Sequence, residues 1–533
     1  MKTSLTGAPE SARSPRSLRI PMLLEGRLTP ALLVLLLAAY SLVLVVFSPL
    51  PLQDYPNHLA RALAMADLMF HHGARFGQYF TYHFLFVPYV LPDLALASLV
   101  AVLGVTAASA LFAVATFLSL PFALWIYLRV LRAPRDVMLL TLLLSLYLST
   151  DQFFLMGFMT FRLSVACILV ALALLEKLRE TFSVPLYLSF CGVVLVGYLV
   201  HLTAPLFLLA AMGVTALLRL YQHRSRLEQE IPFFLPVAAL LLWHFIGAAS
   251  YRQPNDLVSE LYRWGSGRSK LEGLFYEVHR YTKLYDALLG ALLLLCIIWP
   301  LRHVRERSAF ARPGVLEMWL LAVTFFGIYV VLPSTYRDAA LVDVRAMAFV
   351  LLFGMLALFR MLDWSPRARA LDGSAVALSV LLVVLNLAYL TRHLARDAHW
   401  LTHYRAFIAS LPTGGKVLPV DTVRKEGKLE PFLHAASFLL IDRGILTPYL
   451  FSGDTGAPMK YFRYRHHSYV PDDDWYTDPA AGGTLRAGVD WGTIAREYQY
   501  ILITKPYDAA RLHLATSPVT DNDAAAFLAI NGP

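Results

Sequence analysis

Long apolar blocks alternate with short polar loops along most of this chain, and the pattern changes only near residue 392. A helix needs about 20 apolar residues to cross a hydrocarbon core, and in lipid its backbone polar groups must be satisfied within the segment. Blocks such as Pro30–Leu50 and Val376–Leu390 therefore predict membrane helices. The first block is longer than a signal-peptide core and lacks a small-residue cleavage site after it, so it reads as a retained helix.

The basic residues fall in the short loops. The clusters are Lys2 to Arg27, Arg129/Arg132/Arg135, Lys177/Arg179, Arg219/Arg224/Arg226, Arg302/Arg305/Arg307/Arg312 and Arg367/Arg369. Placing each on the cytoplasmic side sets spans near 30–50, 107–129, 137–155, 161–178, 184–200, 203–221, 232–250, 284–300, 315–333, 345–362 and 375–391. The segment His83–Gly104 is apolar enough to span, but as a simple crossing it would put every later basic loop outside. It also contains Pro88, Pro92 and Asp93, and it reads as a re-entrant or interfacial segment.

Beyond residue 392 the chain turns polar. Lys416–Val420 and Tyr500–Thr504 read as strands, Pro431–Arg443 has helical spacing, and Pro471–Pro479 reads as a surface loop. The predicted fold class is a polytopic α-helical membrane protein with about eleven transmembrane helices, one re-entrant or interfacial segment and a C-terminal soluble α/β domain. Its divisions are a cytoplasmic tail (1–29), a transmembrane domain (30–392) with a first outer loop (51–83), and an outer domain (393–533).

Composition agrees with this division. The chain is 58% hydrophobic and 16% charged, against roughly 45–50% and 25% in soluble domains. The net charge of +9 lies in inter-span loops rather than on a nucleic-acid-binding face. Cys167, Cys191 and Cys296 all sit in apolar blocks and give neither a disulfide framework nor metal-ligand spacing. There is no Walker A loop, dinucleotide fingerprint, His-Glu-x-x-His, Gly-x-Ser-x-Gly or Cys-x-x-Cys motif, which argues against ATP coupling within the chain.

Candidate chemistry concentrates where the first helix ends, in Pro51-Leu-Gln-Asp-Tyr-Pro-Asn-His-Leu-Ala-Arg61. A helix from Tyr55 brings Asp54, Asn57, His58 and Arg61 near one another. Leu59, Leu63, Ala66 and Phe70 give it an apolar side suited to the membrane interface. Asp54 reads both as a helix cap and as a general base toward a hydroxyl. His58 reads as a hydrogen-bonding partner rather than a metal ligand.

An acidic residue just after the first helix, in the first outer loop of a protein with about eleven spans and an outer C-terminal domain, resembles the GT-C membrane glycosyltransferases. The chain also resembles a large group of poorly characterised bacterial membrane proteins with a similar Asp-Tyr-Pro-Asn-His-Leu-Ala-Arg segment, a Gly-Phe-containing turn like Phe154–Phe161 and a helix-end His like His201. The resemblance implies transfer of a sugar from a polyprenyl-phosphate donor to a glycan, lipid or protein acceptor, on the periplasmic side of a bacterial inner membrane. It implies that Asp54 is the catalytic base, or a metal ligand as in some members. GT-C enzymes often carry a second acidic residue or an acidic pair. Here Asp151 is the nearest candidate and its neighbour is Gln152, so a divalent metal is compatible with the sequence but not required by it.

A departing polyprenyl phosphate needs cationic stabilisation. Arg337 and Arg345, with Asp338 and Asp343, lie in one outer loop, and Arg345 starts a span, where an ionisable residue is a functional candidate. Loop-holding ion pairs or snorkelling are the bland readings of the same residues. Arg162 sits similarly, and His201 suits either phosphate binding or a helix end. The loop Ser250–Lys283, with Arg252, Trp264, Arg268, Tyr276 and His279, fits sugar recognition or an interfacial belt. His244 is the main ionisable residue at mid-span and reads as core, while Asp421, His434 and Asp442 read as structural. A transporter or flippase predicts mid-span ionisable groups and internal repeats, and neither stands out. A non-catalytic scaffold binding partners through 393–533 is the third reading.

Overall fold

The computed structural model describes residues 28–250, 262–303, 312–336, 339–362, 373–420, 429–451, 461–466, 490–504, 516–521 and 525–530. The N-terminal tail, Arg252, Arg305, Arg307, Arg337, Asp338, Arg367, Arg369, Asp421 and the Pro471–Pro479 run lie outside them.

Every stretch read as a span contains a helix. In chain order they begin with α1 (Leu28–Val46), α2 (Tyr55–Phe70), α3 (Val90–Val130), α4 (Arg135–Leu148), α5 (Gln152–Leu155) and α6 (Met159–Glu180). α7 (Val184–Val200), α8 (Thr203–Tyr221), α9 (Leu227–Ser250), α10 (Gly267–Gly273) and α11 (Lys283–Ile298) follow, then α12 (Pro313–Val331), α13 (Arg345–Leu362), α14 (Gly373–Ala409) and α15 (Trp491–Glu497). Among the described residues, eight helices are long and apolar enough to cross a membrane, and two shorter apolar ones cover Pro30–Val46 and Val184–Val200. Val34, Leu35, Leu188, Leu217, Leu242, Leu288 and Val323 stay more than half exposed on their helices. Such outward apolar faces are stable in lipid rather than in water, so this is a multi-pass membrane protein.

Three local features depart from a simple row of spans. Val90–Gly104 is helical and runs directly into the following span. Gly104 marks the junction with φ 76° and ψ 167°, a conformation open to glycine and not to a helical residue. The stretch 137–155 is two helices, because Asp151 breaks the first and caps the second, its Oδ1 accepting from the Phe154 amide at 2.9 Å. α14 continues through residue 392 to Ala409, so one rigid helix carries the chain from the apolar region into the polar one.

The C-terminal region contains β5 (Val417–Val420), β7 (Tyr500–Thr504), β8 (Thr516–Asp521) and β9 (Ala525–Ile530). The four form a sheet in the order β5-β7-β9-β8, parallel only between β5 and β7. Leu418, Ile501, Ile503 and Leu528 pack with Ile494 of α15. The helical spacing of 431–443 appears as two short turns, 435–437 and 439–443. Two further strand pairings tie distant loops together. β1 (Phe80–Tyr82) pairs antiparallel with β6 (Phe462–Tyr464), and β2 (Tyr262–Arg263), β3 (Thr335–Tyr336) and β4 (Ala339–Ala340) join two inter-helix loops. The C-terminal region also grips α14, where Arg405 makes a two-pronged bridge to Asp442 at 2.8 and 2.7 Å and Trp400 meets Phe432.

Candidate functional site

Asp54 sits at the start of α2, its amide donating to the Met156 carbonyl at 3.0 Å. Gly157 makes this approach possible. Its φ is +83°, and a Cβ there would meet the Tyr55 amide nitrogen at 2.8 Å and that of Asp54 at 3.2 Å. The Gly-Phe turn and the acidic segment singled out in the sequence are thus packed together. The Asp54 carboxylate makes no capping hydrogen bond to α2. It faces the Nε2 of His434 at 3.5 Å, with its side chain 14% exposed. Burial raises its carboxyl to about 7, helped by the Glu430 charge and opposed by a hydrogen bond with Gln53.

The remaining residues of the motif anchor α2 to its surroundings. Asn57 is fully buried, donating to the Tyr449 carbonyl and accepting from the Phe451 amide, both at 2.7 Å. Arg61, also fully buried, donates to Asp93 Oδ1 at 2.7 Å and to His58 Nδ1 at 2.8 Å. The Tyr461 hydroxyl donates to the other Asp93 oxygen at 2.5 Å. A buried polar chain therefore runs from α2 through α3 to the C-terminal region, and removing either charged end would strand the other in a low dielectric. The His58 ring is held neutral, its basicity lowered first by burial and then by Arg61.

A second cluster stands beside the first. Arg162 bridges Asp151 at 2.6 Å and donates to the Leu148 carbonyl at 2.9 Å. Glu277 lies beside the same aspartate, and burial first, with that neighbouring charge, raises its carboxyl well above the usual range. Tyr276, next to it, donates to Met156 Sδ at 3.0 Å and lies within electrostatic reach of both Asp54 and Arg345.

Arg345 is 8% exposed and has no carboxylate partner among the described residues. Its guanidinium lies over Phe158 and Phe161 at 5.6 and 5.8 Å and donates to the Ala340 carbonyl at 3.2 Å, while Nε has no partner among the described residues. His201 Nε2 lies 3.4 Å from Arg345 and 3.2 Å from the Tyr89 hydroxyl, and Nδ1 accepts from the Thr203 amide and hydroxyl. Burial first, and Arg345 second, keep that ring neutral. Asp343 is instead occupied by Lys270 of α10 at 2.7 Å. Among the described residues no three of His, Cys, Asp or Glu are grouped to hold a metal ion, and Asp54 and Asp151 each have the other partners described above.

A solved structure has this architecture. The crystal structure of ArnT from Cupriavidus metallidurans bound to undecaprenyl phosphate matches with a TM-score of 0.51 and 14% identity, covering 93% of this chain and 97% of that one. The fold is ArnT-like. The same protein in the apo state matches with a TM-score of 0.49 and 13% identity over 94% and 98% of the two chains. No protein-family model matches the sequence, and no curated protein matches it. The likeness to ArnT therefore lies in the three-dimensional fold, over nearly the whole of both chains, in agreement with the fold expected from the resemblance read in the sequence.

Within this ArnT-like fold, sequence reasoning missed His434, Glu277, Asp93 and Tyr89. Tyr276 and Glu277 lay in a loop suspected as a whole, Trp264 and Arg268 of that loop being exposed. Asp93 was noticed only as a charge in an apolar block. His434 carried no local signal, since it reaches Asp54 only through tertiary folding.

Proposed function

We propose that this protein transfers a sugar from a polyprenyl-phosphate donor to an acceptor hydroxyl at the periplasmic face of a bacterial inner membrane. The observation that carries the reading is one partly buried carboxylate, Asp54, and one buried guanidinium, Arg345, neither paired with an opposite charge among the described residues and both within electrostatic reach of Tyr276. The ArnT-like fold supports it. In this reading Asp54 takes the proton from the acceptor hydroxyl. The acceptor oxygen bonds to the anomeric carbon as the bond from that carbon to the phosphate oxygen breaks, and polyprenyl phosphate departs. Charge growing on the leaving phosphate meets Arg345, in a site poor in water where such stabilisation is strong. Asp151, Arg162 and Glu277 hold the turn that carries Met156 and Gly157 against Asp54. Residues 30–392 form the catalytic membrane domain and 393–533 cover it, with Arg337 a second candidate for the phosphate.

The test is transfer by purified protein in lipid nanodiscs, offered a panel of polyprenyl-phosphate sugars, with Asp54→Asn beside the wild type. A positioned base contributes about 10²–10⁴-fold, and a loss of that size in a folded variant is expected. The base works only when ionised, so the wild-type rate should fall as pH drops below about 7, the value to which Asp54 is raised. Unchanged turnover in Asp54→Asn would remove Asp54 from the chemistry.

A further inference from the structure

We propose that His434, supplied by the C-terminal region, is a positioning residue that orients the Asp54 carboxylate, and that Asn57 fixes the ring tautomer in which it does so. The inference rests on Asp54 being the base of the reaction above and assigns the C-terminal region a part in it.

The argument starts from Asn57. Its Oδ1 accepts from the Phe451 amide at 2.7 Å, so its amide cannot be turned over without losing that bond. One Nδ2 hydrogen goes to the Tyr449 carbonyl at 2.7 Å, and the other faces His434 Nδ1 at 3.5 Å. A ring nitrogen facing an N–H donor is the acceptor of a neutral imidazole, and the proton then resides on the other nitrogen. In His434 that other nitrogen is Nε2, which faces Asp54 Oδ1 at 3.5 Å. Phe451 holds the ring edge-on at 4.9 Å. Burial lowers the basicity of the ring to about 4, so it stays neutral and acts as a fixed dipole rather than a counter-ion.

At 3.5 Å this contact is longer than an ordinary hydrogen bond, and an N–H held beside one carboxylate oxygen at that distance still restrains the carboxyl group and favours its charged form. The other titratable and polar groups facing Asp54 are Gln53 on its own loop, Glu430 from the C-terminal region and Tyr276 from the segment after α10. Of these, Glu430 opposes ionisation and Gln53 favours it. His434, Tyr449 and Phe451 all belong to the C-terminal region, so the base is oriented only while that region is docked on α2.

The experiment is an infrared titration of the full chain in nanodiscs, following the carboxyl band that Asp54→Asn removes. In His434→Leu the midpoint should rise by up to about one pH unit, a full hydrogen bond to a charged group setting the upper limit. In His434→Gln, whose amide N–H stands near the position of Nε2, it should return to the wild-type value. An unshifted midpoint in His434→Leu, or an equal shift in both variants, would overturn the assignment. If His434→Leu does not fold, the ring ¹⁵N signals of the wild type, identified by their loss in His434→Gln, decide the matter. An Nε2–H tautomer supports the assignment and an Nδ1–H tautomer refutes it. Transfer assays separate this inference from the reaction itself. A shifted midpoint in a protein that turns over no donor sinks the transferase reading and leaves the His434–Asp54 coupling standing. Transfer that depends on Asp54 with no midpoint shift does the reverse.

Discussion

The two ends of α6 handle charge in opposite ways. Near its C-terminus, Arg179 lies between Glu176 at 2.8 Å and Glu230 at 2.7 Å, and Arg219 of α8 reaches Glu230 at 3.5 Å. About 25 Å away along the same helix, Arg162 is paired with Asp151, but Arg345 and Asp54 close by have no charged partner of opposite sign among the described residues. Burying a charge is costly unless it is paired. The first cluster meets that requirement within the protein and is complete as it stands. The second is incomplete in a particular way: it holds a cation suited to an anionic group and a carboxylate suited to a proton. In the proposed reading the paired cluster is structural, and the polyprenyl phosphate and the acceptor proton complete the charges of the other.

This contrast can be broken by substitution at either end. Arg179→Ala leaves Glu230, which is 2% exposed, with only the longer contact from Arg219, and should lower stability by about 3 kcal/mol, the low end for breaking a buried pair. Thermal unfolding in nanodiscs would register the loss, while turnover per folded molecule stays at the wild-type level. A variant with normal unfolding and poor turnover would make the far cluster functional and erase the distinction. Arg345→Gln should behave in the opposite sense. Affinity for polyprenyl phosphate, measured by titration calorimetry, should fall about tenfold to a hundredfold, the scale of about 1.5–3 kcal/mol for a charged hydrogen bond. Thermal stability should hold or improve, because an uncompensated charge has gone. A drop in stability with affinity intact would assign Arg345 to packing instead.

The smallest effect sharpens the comparison at the base itself. Gly157→Ala forces a side chain into a left-handed conformation, costing about 1–2 kcal/mol, and drives its Cβ against the Tyr55 amide. Turnover should fall more than the modest loss of stability accounts for, because the displaced atoms carry Asp54. Parallel assays of transfer and unfolding would check this, and normal turnover in the destabilised variant would show that the turn does not position the base.

Much of the frame was legible because its signals are local. Apolar runs and the strand patterns at 416–420 and 500–504 depend mostly on neighbouring residues, and among the described residues each contains a helix or strand. Asp54 stood out because a polar segment directly after a membrane helix is locally unusual. Boundaries were read less well where one residue overrides the pattern. Asp151 splits a single apolar block into α4 and α5, and Gly104 joins what looked like two separate segments. The composition change at 392 likewise hides an unbroken helix.

What the sequence determined alone is the class of protein, since hydropathy in blocks of this length requires a lipid environment whatever the helices pack against. What only the tertiary structure decided is which polar residues meet and which are left without a partner. Asn57 and His434 are 377 residues apart in the chain and adjacent in the fold. Asp343 and Arg345 sit two positions apart, yet one is satisfied by Lys270 and the other has no carboxylate partner among the described residues. Charge pairing acts through space over a few ångströms, so no local pattern records it, and only the packed helices decide which charges are paired.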